Sequence, residues 1–298
     1  MSNKVKPHED PVVVEQASRK MLSELSEEQV EKAALSSYAY FTGKNKDREG
    51  CALAMAKRHF LADKGDYSVA LDKMRNAINF FDEIDVSSMR KCFYDSDDGG
   101  PLDEMRKAIE SDVSAGRLAV CGEDFSGRAI HIVLCRNKIT DNPDALLRGH
   151  IYAIERCLAA TESKTNGKIE KSIVAYDFSG MSHSHAISLK TFRKIGAALQ
   201  NYYPERLHCT YMIDVPVFIR SLWKVFSPFI DPVTRKKIVF INGKEEKEKT
   251  FETVVAEENA MPFIRPGGKM SSQIDMNTFL YKTPFDCSYG VGESSQTC

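Results

Sequence analysis

Fourteen residues, Val217 to Ile230, constrain this chain more than any other stretch, because nine of them are apolar. That density leaves no periodic polar face. A helix apolar all round is buried in a core, lodged in a membrane, or laid over an apolar ligand. The flanks narrow the choice. Pro204 stops an upstream helix at Tyr203, a short apolar strand runs from Cys209 to Ile213, and a second ends near Ile241. No uninterrupted apolar run approaches the ~20 residues that a membrane-spanning helix needs. A core or an apolar ligand remains.

The chain, at 298 residues, is long enough for one large or two modest domains. With 42% hydrophobic and 28% charged residues it reads as globular rather than disordered. A net charge of −1 gives no overall basic character, so nucleic acid is not an expected partner. The polar N-terminus, Met1 to Asp10, carries no apolar signal core. Position 2 is Ser, which excludes simple myristoylation, and Cys298 is the final residue, which excludes a prenylation box. The eight cysteines are scattered without a Cys-x-x-Cys pair, as free buried thiols of an intracellular protein are. A cytoplasmic monomer is expected.

Taken in order, residues 1–18 read as a flexible arm. Residues 19–98 read as a small N-terminal helical domain. In it Asp66 is an N-cap, and Leu71, Met74, Ile78 and Phe81 recur at spacings of three and four. Tyr94-Asp-Ser-Asp-Asp-Gly-Gly-Pro101 is the most loop-like stretch and a natural boundary. Residues 99–270 then alternate short strands (117–121, 129–135, 173–176, 209–213, and one ending near 241) with helices. That order implies an α/β domain whose mostly parallel sheet is flanked by helices. The charge run Lys244 to Lys249 reads as a solvated loop, followed by a last helix around Phe251 to Glu258. Residues 271–298 read as an extended or partly disordered tail.

No catalytic constellation emerges. Gly180-Met-Ser-His-Ser184 follows a strand, but a nucleophile elbow needs Gly where Ser184 stands. Pro266-Gly-Gly-Lys-Met-Ser271 resembles the end of a phosphate loop, yet Phe263 occupies the place of its first glycine. His183-x-His185 has no nearby Cys or acidic partner, so it reads as a solvated loop and no metal site is expected. Neither an enzyme nor a resident cofactor is expected. For the greasy segment two readings stay open. It is a fully buried core helix, or it is the lid of a lipid-sized cavity in which Val217, Phe218, Leu222, Trp223, Phe226 and Phe229 face acyl chains or a bilayer.

Four submotifs in one order make a resemblance specific. These are Tyr202-Tyr-Pro-Glu-Arg-Leu207, Ile213-Asp-Val-Pro216, Trp223-Lys, and Ser227-Pro-Phe-Ile-Asp-Pro-Val-Thr-x-x-Lys-Ile238. Upstream stand Ile173-Val-Ala-Tyr-Asp-x-x-Gly180, Phe125-Ser-Gly-Arg128 and Arg58-His-Phe-Leu-Ala-Asp-Lys-Gly-Asp-Tyr-Ser-x-Ala70. Together they resemble the CRAL-TRIO lipid-binding family, in particular its phosphatidylinositol/phosphatidylcholine transfer branch, over roughly residues 50–268. The resemblance implies an internal lipid cavity in the sheet domain, with bound lipid as the ligand. It also implies headgroup roles for Glu205, Thr234 and Lys237. Lys237 would be a point charge for phosphate, Thr234 a hydroxyl donor, and Glu205 an acceptor for sugar hydroxyls. Ordinary ion pairing at strand ends is the competing account of Glu205, Arg206 and Lys237. Ser172 is the remnant of a Ser-x-Thr pair that serves phosphocholine in the family, since position 174 is Val. Asp63 stands where the family's helical domain usually offers Arg.

The expected partners are therefore a phospholipid, best matched by phosphatidylinositol, and a transient membrane surface. The segment Val217–Ile230, ending at Pro216 and at Asp231-Pro232, is the expected gate, with Lys224, Lys236 and Lys244 near anionic headgroups. A binder of a single-chain or isoprenoid lipid and a lipid-sensing adaptor are the alternative functions.

Overall fold

Residues 6–137 and 142–291 are described in the computed structural model, except for the side chains of Phe226 and Phe229. The chain divides into two compact units. One comprises the residues up to Asp85 together with Ala198–Glu205; the other comprises Val86–Ala197 and the residues from Arg206 onward.

The first unit is helical. Asp10 accepts from the backbone N–H groups of Val12 and Val13 and Pro11 takes the first helical position, so α1 (Pro11–Ser23) starts where an arm was expected. Its buried face is Val14, Ser18, Met21 and Leu22, a helical stripe diluted by polar neighbours. Residues 11–18 are therefore helical, with Val14 and Ser18 reaching the core. A Ser26/Gln29 capping box opens α2 (Glu27–Ala34). Ser37 caps the short α3 (Tyr38–Phe41) and Asp47 caps α4 (Arg48–Ala62). Asp66 caps α5 (Tyr67–Glu83), accepting from the Val69 N–H. Phe80 stacks on Tyr202, ring centroids 3.9 Å apart, and Phe81 meets Tyr203 at 5.3 Å, which ties Ala198–Glu205 into this unit.

The second unit is built on a five-stranded sheet in the order β1-β2-β3-β4-β5. After α6 (Val86–Lys91) and α7 (Pro101–Val113) come β1 (Leu118–Glu123) and β2 (Ala129–Leu134), which pair antiparallel. β1 carries an irregularity between Val120 and Glu123, and there Gly122 has φ +73° with its Cα against Asn259. A Cβ at Gly122 would lie 2.0 Å from the Asn259 carbonyl oxygen, so only glycine fits. The rest is parallel. The long α8 (Pro143–Thr165) links β2 to β3 (Ser172–Asp177). α9 (Leu189–Tyr202) links β3 to β4 (Leu207–Ile213). α10 (Val217–Phe226), a 3-10 turn at Ser227–Phe229 and α11 (Pro232–Lys236) link β4 to β5 (Ile238–Ile241). Mixed α/β architecture with a mostly parallel, helix-flanked sheet follows.

Three expectations change here. The charge run is not a loop: Lys244 to Lys249 lie within α12 (Gly243–Phe251), where Glu246 accepts from the Asn242 N–H and Lys244 pairs with Glu248 one turn on. Alternating charges at helical spacing support each other, which composition alone does not show. The segment after Ser271 is packed as far as it is described, with Phe279, Leu280 and Phe285 buried. Its fastener is Arg156 of α8, fully buried, which donates to the carbonyls of Phe279, Thr283 and Pro284 at 2.7, 2.8 and 3.0 Å. The cysteines also divide. Cys51, Cys92, Cys121, Cys135, Cys157 and Cys209 are free, while Cys287 in that C-terminal segment is disulfide-bonded. Among the described residues no helix is long and apolar enough to cross a membrane.

Candidate functional site

Strands of a parallel sheet are normally buried on both faces. One face of β3–β5 departs from that. The register sets Val174, Thr210 and Ile238 in one row and Tyr176, Met212 and Phe240 in the next. Only Thr210 is buried; the five others are half-buried. On the opposite face Ile173, Ala175, Tyr211, Ile213 and Ile241 are buried and Cys209 is half-buried, while Val239 of the edge strand β5 is exposed. The first face is thus largely apolar and incompletely covered. Nothing in the sequence marks it, because a continuous apolar strand reads the same whether one face or both are covered.

α10 belongs to this face. Trp223 meets Phe240 edge to face with ring centroids 5.4 Å apart. The helix is not apolar all round, as its composition suggested. Val217, Arg220, Ser221, Lys224 and Val225 are exposed and share one side, while Phe218, Ile219, Leu222 and Trp223 are half-buried on the other. None of its described side chains is buried, so the core-helix reading fails. The side chains of Phe226 and Phe229 lie outside the described part. Val217 is 80% and Val225 53% exposed, on the same outward side as Arg220 and Lys224.

The N-terminal end of α10 is firmly held. Asp214 has φ +52° and its carboxylate accepts from the Ser179 hydroxyl (3.1 Å), the Gly243 N–H (2.9 Å) and the Lys247 ammonium (2.8 Å). Burial pushes its pKa up, but Lys247 and these hydrogen bonds outweigh burial and hold it below the usual carboxylate range. The Val215 N–H donates to the Asn242 side chain, and the Val215 carbonyl accepts from Arg220. One carboxylate thereby knits the ends of β3, β4 and β5. A second, fully buried carboxylate, Asp177, is paired with Arg136 at the same ends.

The headgroup candidates gather at the opposite, N-terminal ends of the strands, with one exception. Asp231 caps α11 through the Val233 and Thr234 N–H groups, which fixes Thr234 one turn from Lys237. Lys237 is half-buried and its ammonium donates to the Leu207 carbonyl at 3.0 Å. Leu207 is the register partner of Ser172. Ser172, Thr234 and Lys237 therefore share one end of the sheet. Ser172 is buried, its hydroxyl engaged with the Cys157 thiol, whose pKa burial pushes up to about 12. Glu205 stands two residues before Leu207 with φ +57°, and it clusters with the helical unit. There Asp63 is paired with Lys73, so the place where the family offers Arg holds an acid with its own cation.

Comparison with known proteins gives the arrangement a setting. A family model described as "CRAL/TRIO domain" matches residues 114–262, half of the chain. The SEC14 cytosolic factor of Candida glabrata is 36% identical over 108 residues, 36% of this chain and 34% of that relative. The phosphatidylinositol transfer protein PDR17 of Saccharomyces cerevisiae is 24% identical over 188 residues, 61% of this chain and 50% of that relative. The chain thus matches between a third and a half of the length of these curated relatives. The crystal structure of Sfh5 superimposes with a TM-score of 0.62 at 18% identity, covering 95% of this chain and 96% of that one, a likeness of fold.

Proposed function

This chain belongs to the CRAL/TRIO domain family, and from that premise we propose that it binds a phospholipid, best matched by phosphatidylinositol, and carries it between membranes. One observation carries the reading. The apolar face of α10 meets a largely apolar sheet face through Trp223 and Phe240, and both faces stay half-exposed. Two such surfaces, in contact yet each still half-exposed, suit an acyl chain between them. Taking a two-chain lipid of about 30 methylenes into water costs on the order of 20 kcal/mol at ~0.8 per methylene, so the carrier must cover the chains as they leave the bilayer. A short helix with exposed valines and adjacent cations is suited to meet the membrane and then close. Between Pro216 and Ile238 stand Arg220, Lys224, Arg235, Lys236 and Lys237 against the single carboxylate Asp231, a balance that favours an anionic surface.

The choice of phosphatidylinositol draws on the name of the PDR17 relative and on the Thr234–Lys237 pair. Identification by mass spectrometry of lipid co-purified with the native protein tests it. Phosphatidylinositol in the extract supports the reading, and a sterol or isoprenoid alone overturns it.

A further inference from the structure

We propose that His183 is a positioning residue for α10, a latch whose ring, stacked on Phe218, holds the first turn of that helix closed until a membrane displaces it. The proposal rests on the reading of α10 as a moving cover. It also gives a role to the Gly180-Met-Ser-His-Ser184 loop, which neither catalysis nor metal binding accounts for.

The two rings lie 3.9 Å apart between centroids at an interplanar angle of 28°. The loop is built to present one histidine and retain the other. Gly180 turns the chain at φ +74°, and the Met181 N–H donates to the Phe178 carbonyl at 3.0 Å. His185 is then drawn back into the loop, its Nδ1 accepting from the Ser182 N–H at 3.1 Å. Ser182 and Ser184 hydroxyls meet at 2.8 Å and complete the turn His183–His185. With His185 committed, His183 is left exposed with its ring on Phe218.

The attachments of α10 are unequal. Asp214, Val215 and Asn242 pin its start through the backbone and a carboxylate, which makes that point a pivot rather than a release. Trp223 on Phe240 is a contact between half-buried rings. His183 on Phe218 joins an exposed ring to a half-buried one, so it is the contact that solvent and membrane reach first. A bilayer interface offers Phe218 an alternative apolar partner and competes directly with the stack. Losing a stacked aromatic pair shifts an open-to-closed ratio about three- to tenfold.

Trp223 is the sole tryptophan of the chain and sits on the helix in question, so its fluorescence reports the cover. The experiment compares acrylamide quenching of Trp223 in the full chain, in His183→Ala and in His183→Phe. Alongside it, fluorescent phosphatidylinositol is followed from donor to acceptor phosphatidylcholine vesicles. His183→Ala is expected to raise quenching and to speed transfer about three- to tenfold, and His183→Phe to restore both. Circular dichroism and melting temperature stay at the wild-type values, since His183 is exposed. Wild-type quenching in His183→Ala overturns the latch, as does failure of His183→Phe to restore it. A wild-type protein that moves no lipid overturns the proposed function instead, and the quenching comparison still decides the latch.

Discussion

Trp223 of α10 and Phe240 of β5 meet edge to face, centroids 5.4 Å apart, and this contact joins the helix to the sheet. Neither ring is buried. A pair of large aromatic side chains left half-wet on a parallel sheet is a poor way to stabilise a fold and a sensible way to line a site that fills and empties.

The first expectation follows from that contact. Trp223→Ala combined with Phe226→Asp removes the ring contact and puts a charge on the proposed gate. A charge at an apolar interface costs on the order of 2–3 kcal/mol, so vesicle-to-vesicle transfer falls at least about tenfold. Because no described α10 side chain is buried, the melting temperature moves little. Unchanged transfer in a folded variant would sink the gate.

Lys237 and Thr234 are one helical turn apart, and a charge-assisted contact to phosphate is worth about 1.5–3 kcal/mol. Lys237→Ala is expected to lower phosphatidylinositol loading about tenfold or more, measured by mass spectrometry of protein equilibrated with mixed vesicles. Loading of an uncharged isoprenoid lipid in the same variant stays constant. Equal loss of both lipids points to damage to the strand ends instead.

Arg156, itself fully buried, fastens the C-terminal segment through three carbonyls and lies 4.1 Å over the Phe279 ring. Arg156→Met strands those carbonyls and is expected to cost about 3 kcal/mol or more. Urea denaturation measures the loss, and limited proteolysis near Tyr281 should speed up in parallel. A stability within about 1 kcal/mol of wild type contradicts the fastening role.

His59 and His131 are buried with no hydrogen-bond partner on either ring nitrogen. Burial lowers their pKa values from 6.5 to about 3 and about 4; for His59, nearby Arg58 and Lys73 add to the effect. In the unfolded chain each takes a proton near pH 6.5, while the folded chain does not. The stability they contribute is therefore full above about pH 6.5 and is lost as pH falls toward about 4 for His131 and about 3 for His59, by up to about 1.4 kcal/mol per pH unit for each. Denaturation midpoints at pH 7.5 and 5 check this. His131→Phe should flatten the slope for the sheet unit; an unchanged slope assigns the acid sensitivity elsewhere.

Much of the fold was legible in local pattern. Leu71, Met74 and Ile78 name the buried side of α5, and Asp66 names its cap, because helix period and capping are local physics. Where local signals were diluted, they misled. The stripe Val14, Ser18, Met21, Leu22 hides α1 behind polar neighbours, and the charges of Lys244 to Lys249 hide α12. At the site, Thr234 and Lys237 stand out through their motif. Tyr176, Met212 and Phe240 do not, since which strand face stays uncovered depends on helices far along the chain.

The amino-acid sequence by itself determined the alternation of strands and helices, the helix caps, and the presence of a dense apolar segment between Pro216 and Asp231. It could not determine that segment's surroundings. A residue's hydrophobicity states what it would gain by leaving water, and only the tertiary structure states whether it has left. Here the tertiary structure left Phe218, Leu222 and Trp223 half-covered above an equally half-covered sheet face. That shared incompleteness turns a greasy helix from a core element into a candidate cover.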